Sequence, residues 1–244
     1  MQNLCPYETT ALGSSAFCSL FTEQEWRDYA YAIDIKFYGN YGFGSSTGRA
    51  QGIGYVLELA ARLEGKLIHS SDTSINYTYD NNEATFPLHQ PLYMDMSHES
   101  TIISALATMN LTYFRYGPHG LPVIDHAPPR NFSTSEMTPY SARLVSEIWT
   151  CPVSTSLHHL GPVLYRNPDL SSVPNTTDYI RFVLNDAPVP LDGLIECAGS
   201  VNGFCALDDF LKAVPQMKND AMYQFACFGE YDTGGRQVGN GRPE

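Results

Sequence analysis

Apolar residues recur along this chain at two periods, and the change from one to the other is sharpest over residues 91–111. Leu92, Met94 and Met96 alternate with Tyr93 and Asp95, which predicts a strand. Ser97, His98 and Glu99 form a polar elbow, and from Ser100 the apolar positions Ile102, Ile103, Leu106 and Met109 return at helical spacing. A strand that turns directly into a helix places the elbow at the carboxyl edge of a sheet. There it faces unpaired N–H groups and the positive end of the helix dipole. Such a place suits an anion.

The same patterns order the rest of the chain. Thr22 and Glu25 have capping-box spacing before Trp26, Tyr29, Ile33 and Phe37, an amphipathic helix that Gly39, Gly42 and Gly44 should end. Residues 47–63 predict a second helix with Ile53, Val56, Leu57, Ala60 and Leu63 on one face. Gly48, Gly52 and Gly54 follow no strand and lack the GxGxxG spacing, so they point to close helix packing and not to a nucleotide. Arg49 could reach a phosphate, but at a helix start it is first read as solvated. Residues 70–90 read as a polar loop and 116–141 as a surface excursion carrying His119 and His126. Regular structure resumes with Ala142, Leu144, Val145 and Ile148. A hairpin follows, with Ile180, Phe182 and Leu184 in alternation, Asn185-Asp186 as its turn, and Val189 and Leu191 beyond. Residues 208–214 predict a short helix, and the chain from Gly229 reads as a frayed tail.

Composition narrows the function classes. A hydrophobic content of 43% fits a globular protein. The net charge of −12, with lysine only at positions 36, 66, 212 and 218, argues against nucleic acid and anionic membrane as partners. No apolar run approaches the ~18 residues of a membrane helix. The six cysteines form no CxxC pair, which argues against structural zinc. Four sequons, at Asn76, Asn110, Asn131 and Asn175, stand beside that even cysteine count and predict a secreted, oxidised glycoprotein. The first residues, MQNLCPYETT, have neither the basic nor the apolar region of an export signal.

His98 can donate a hydrogen bond and Glu99 can carry a proton, so the elbow has the parts for acid catalysis on an anionic substrate. The plainer alternative is a helix cap with solvated neighbours. Zinc of the HExxH type is excluded, because Ile102 stands where the second His would be. No metal and no cofactor are expected.

The stretch MDMSHESTIISALATMNLT, followed by YFRYGPHGLP, HAPPRNF and ARLVSEIWTCP, resembles the later part of fungal histidine acid phosphatases, the branch that includes phytases. The likeness extends upstream through CPYETTALGSSAFCSLFTEQEW and GRAQGIGYVLELAARL. Downstream it includes RFVLNDAPVPL, Cys197 to Cys205 and ALDDFL. It implies an α/β protein with a three-layer core of the phosphoglycerate-mutase-like type. Residues 1–46 would be part of a helical cap and 47–244 the C-terminal portion of the core. It implies hydrolysis of phosphomonoesters through a phosphohistidine, with His98 contacting phosphate and Glu99 as proton donor. It also pairs Cys5 with Cys18 and Cys197 with Cys205, both closing short loops, and leaves Cys151 and Cys227 without partners.

Two departures from the family pattern stand out. The acid is Glu where the family's usual pair is His-Asp, and the nucleophilic Arg-His-Gly-x-Arg-x-Pro motif does not occur. The expectation is therefore a C-terminal part of a secreted phosphatase, incomplete at its N-terminus, with apolar sheet surface uncovered. It would act on a small phosphomonoester, including inositol phosphates, once joined to the missing N-terminal half. The alternative is a non-catalytic secreted glycoprotein derived from that family.

Overall fold

The computed structural model describes residues 1–153 and 175–229. Two long helices, α2 (Glu23–Asn40) and α3 (Gly48–Glu64), follow a short N-terminal α1 (Leu4–Leu12). A helical turn α4 (Tyr77–Asp80), the helix α5 (Glu99–Thr108) and a turn α6 (Thr134–Met137) come next. The strands β1 (Leu144–Pro152), β2 (Thr176–Leu184), β3 (Ala187–Pro188) and β4 (Cys205–Ala206) make one antiparallel sheet, with β2 pairing all the others. The helices α7 (Leu207–Ala221) and α8 (Tyr223–Phe228) end the described chain.

The α2 capping box forms as the sequence predicts: Thr22 Oγ1 accepts from the Glu25 N–H, and the Glu25 carboxylate accepts from the Thr22 N–H at 2.7 Å. The helix runs through Gly39 to Asn40. Its buried stripe is Tyr31, Asp34 and Tyr38, while Trp26, Tyr29, Ile33 and Phe37 are half-buried beside it. Asp34 is 1% exposed and holds the 116–141 excursion against α2: Arg130 Nε donates to it at 2.7 Å and the Thr134 N–H at 2.7 Å. The excursion is thus less superficial than its composition predicts, and Phe132 within it lies in the core. A buried carboxylate tolerates that place because guanidinium and amide together replace its water.

The core is the crossing of α3 with α5, backed by α7 and one face of the sheet. Ile53, Val56 and Ala60 of α3 meet Ile103, Leu106 and Met109 around α5. From the sheet, Ile180, Phe182 and Leu184 point into the same cluster, and the Phe182 ring lies 5.4 Å from that of Phe210 on α7. On the opposite face, the Arg181 guanidinium stacks between Trp149 and Phe204, at 5.2 and 4.8 Å from their centroids, and donates to Glu147 at 2.6 Å. The hairpin turn is at Asn185, which takes a left-handed φ of 56°.

Two expectations are corrected. Residues 92–96 form no strand: no described backbone group pairs with theirs, and Leu92, Met94 and Met96 are 77%, 81% and 93% exposed. Alternation alone does not make a strand without a neighbour to complete the ladder. Helix α7 runs beyond residue 214 and through Pro215, because Phe210, Ala213, Val214, Met217 and Ala221 share one buried stripe that outweighs a lost hydrogen bond. The expected hairpin forms, with β2 and β3 paired across Asn185-Asp186 at Val183↔Pro188 and Leu184↔Ala187, while the longer partner of β2 is β1, from Leu144↔Leu184 to Pro152↔Thr176. The tail expected from Gly229 onward lies, beyond that residue, outside the described residues.

Cys5–Cys18 ties α1 to the 3-10 turn Ala16–Leu20, and Cys197–Cys205 ties the turn before β4 to that strand. Cys151 is buried and Cys227 exposed, both unbridged. Burial pushes the Cys151 thiol up, with the Asp178 carboxylate adding to it.

Candidate active site

The elbow is built by the start of α5. His98 is its N-cap, in extended backbone (φ −104°, ψ 163°), and Glu99 is the first helical residue. The His98 carbonyl accepts from the Thr101 N–H at 3.0 Å, and Ser97 Oγ lies 2.7 Å from Thr101 Oγ1. These two contacts fold the entering chain onto the first turn. The imidazole of His98 and the carboxyl of Glu99 are both exposed, and neither is held by another side chain among the described residues. Sequence neighbours are thereby presented together where the first N–H groups of a ten-residue helix converge. A phosphoryl oxygen approaching that turn meets a ring N–H, backbone donors and a carboxyl able to deliver a proton.

Upstream, the chain is held by Arg62 from the last turn of α3. Its guanidinium binds Asp95 with both branches, at 2.7 and 3.3 Å, and stacks on Phe86 and Tyr93, each 5.0 Å away. The Tyr93 hydroxyl accepts from the Gln90 N–H at 3.0 Å. One helical turn before Arg62 stands Glu58. Burial first, and the Asp80 carboxylate second, push its carboxyl up to about 7. Asp80 is 8% exposed and its Oδ2 is buried without a donor. A proton on Glu58 can be shared with that oxygen, which removes the clash of two neighbouring anions.

Sequence reading missed Arg62, Glu58 and Asp80. The available signal was the i,i+4 pairing of Glu58 with Arg62 on the polar side of α3; nothing in spacing connects Arg62 with Asp95. Arg49 lies thirteen residues before Arg62 on the same helix, roughly 20 Å away along its axis, at the far end of α5. It donates weakly to Asn110 at 3.4 Å and faces Asp220 at 3.9 Å. The structure does not bring Arg49 to the elbow. His126 is tied to Asp28 of α2 at 3.2 Å, and His119 is exposed on its loop.

Of the sequon asparagines, Asn76, Asn131 and Asn175 are exposed. Asn110 is half-buried at a left-handed φ of 51°, and its Nδ2 donates to the Gly193 carbonyl at 2.8 Å.

A profile of the Histidine phosphatase superfamily (branch 2) matches residues 1–185. The chain is 35% identical over 233 residues to Phytase A of Emericella nidulans, covering 93% of this chain and 44% of that protein. It is 32% identical over 220 residues to Phytase A of Aspergillus awamori, covering 88% and 42%. It thus spans less than half the length of these relatives. Among solved structures, the phytase from D. castellii superimposes with a TM-score of 0.60 at 22% identity, over 93% of this chain and 39% of that one. The shared fold is the α/β, phosphoglycerate-mutase-like one.

Proposed function

Because this chain belongs to branch 2 of the histidine phosphatase superfamily, we propose that it forms part of a secreted, phytase-type phosphomonoesterase working through a phosphohistidine. The observation that carries the reading is the placement of His98 and Glu99 side by side, exposed, on the open N-terminal turn of α5. A histidine supplied by a segment outside these 244 residues attacks phosphorus, since no Arg-His-Gly occurs among them. His98 and the helix N–H groups take up charge on the phosphoryl oxygens as the ester bond breaks. Glu99 gives its proton to the departing alkoxide, which leaves as the alcohol. Water then attacks the phosphohistidine, Glu99 recovers a proton from it, and phosphate is released. The substrate is a small phosphomonoester, with inositol phosphates favoured by the names of the relatives. Two disulfides support an oxidising, extracellular location.

The test is to assay phosphate release at acidic pH by the chain alone and after joining it to an upstream half bearing Arg-His-Gly-x-Arg-x-Pro. The chain alone should stay at background, and the joined protein should turn over. Turnover by the isolated chain overturns the external nucleophile. Failure of a folded, joined protein to hydrolyse any phosphomonoester overturns the phosphatase reading.

A further inference from the structure

The segment 91–97, which delivers the elbow, has no backbone ladder and few ties to the body of the protein. Its firmest tie is Arg62. That side chain is 15% exposed and sits between the Phe86 and Tyr93 rings, with both branches of its fork on Asp95. A planar guanidinium held by two rings and a bidentate carboxylate has little freedom left. Helix α3, which carries it, is fixed against α5 along the core, so Arg62 refers segment 91–97 to the same body that bears the elbow's helix. Glu58 is the other acid facing this guanidinium on α3. Below neutrality burial and Asp80 keep the proton on it, leaving Asp95 as the anion that Arg62 grips on the segment.

We propose that Arg62 is a positioning residue for the His98–Glu99 elbow, acting through Asp95 and Tyr93 to fix the chain that enters α5. The role given to the elbow rests on the phosphatase reading, but the clamp is a physical property that can be measured without any activity.

The experiment uses the full 244-residue chain, with backbone 15N order parameters for residues 93–99 and methyl resonances of the buried Met109 and Met217 as core controls. In the unaltered chain the segment should approach the ~0.85 of rigid backbone, and in Arg62→Ala and Asp95→Asn it should fall below ~0.6. The core methyl resonances should not move. Combining the two substitutions should add nothing to either alone, and Arg62→Lys, which keeps charge but not the fork, should fall between. Unchanged order in both variants overturns the clamp. So does an unaltered segment already below ~0.6, or a loss that appears equally at Met109 and Met217. Should Arg62→Ala fail to fold, Asp95→Asn decides alone, since Asp95 is half-exposed and outside the core. Loss of the clamp leaves the phosphatase assay standing, and failure of that assay leaves the clamp measured.

Discussion

Gly52 on α3 lies so close to α5 that a Cβ there would stand 2.4 Å from the carbonyl oxygen of Ser104. The Thr108 hydroxyl, also 2.4 Å from that position, is fixed by donating towards the Arg49 and Ser104 carbonyls. Neither backbone nor hydroxyl can yield cheaply. Gly52→Ala should therefore destabilise the protein by about 1–3 kcal/mol, the usual cost of overpacking. Gly39 is the contrast: it lies inside α2 with nothing within 4 Å of an added Cβ. Gly39→Ala should stabilise by about 0.5–1 kcal/mol. Urea unfolding of the two variants measures both, and equal effects would show that the α3–α5 crossing is looser than its geometry.

Glu58 makes stability depend on pH in a direction opposite to the usual carboxylate. Its folded value, about 7, lies above the ~4.3 of an unfolded chain, so between these the folded state binds more protons. Its contribution is complete below about 4.3 and is lost as pH rises through about 7. For a half-buried group partly screened by solvent, the loss should be about 1–2 kcal/mol. Glu58→Gln should remove that slope. The reading is the difference between variant and unaltered chain in urea unfolding at each pH, which cancels the other titrating groups. A difference that does not change with pH would place Glu58 in water.

Much of this fold was legible because its determinants are local. Thr22 and Glu25 are three residues apart, and the apolar stripe of α3 repeats within its own helix. The start of α5 at His98 and Glu99 was legible for the same reason, because its helical spacing is local. Residues 92–96 were misread because a strand is a relationship with another strand, and alternation records only one side of it. The end of α7 was misread because Pro215 is a local signal, whereas the packing of Met217 and Ala221 is not. Arg62 with Asp95 and Arg130 with Asp34 join residues far apart in sequence. Such pairs exist only once the fold has brought them together.

The two disulfides should differ in reach. Cys197 and Cys205 are both 4% exposed and belong to the core that includes Ile180 and Phe210. Opening this short loop should cost about 2.5 kcal/mol of global stability by chain entropy alone. Cys5–Cys18 joins two elements that bury no residue. Its replacement by serines should free residues 1–20 to proteolysis while leaving the main melting transition within about 2 °C. Thermal melting and limited proteolysis of the two double-serine variants separate these outcomes. A global loss from Cys5–Cys18 of the same size would mean that α1 is coupled to the core by more than its burial indicates.

The chemistry assigned to the elbow predicts a split between its two residues. In the joined enzyme, Glu99→Gln removes the proton that a leaving alkoxide needs, a loss of about 10²- to 10⁴-fold for alkyl phosphates. A nitrophenolate leaves without a proton, so the same variant should lose much less on nitrophenyl phosphate. His98→Ala removes a contact to the phosphoryl group that both substrates share, and should slow both alike. Rates of kcat/KM for the two substrates across the two variants give the comparison. Equal losses for both substrates in Glu99→Gln would show that the proton comes from elsewhere. A substrate-dependent loss in His98→Ala would show instead that the imidazole, and not the carboxyl, protonates the departing oxygen.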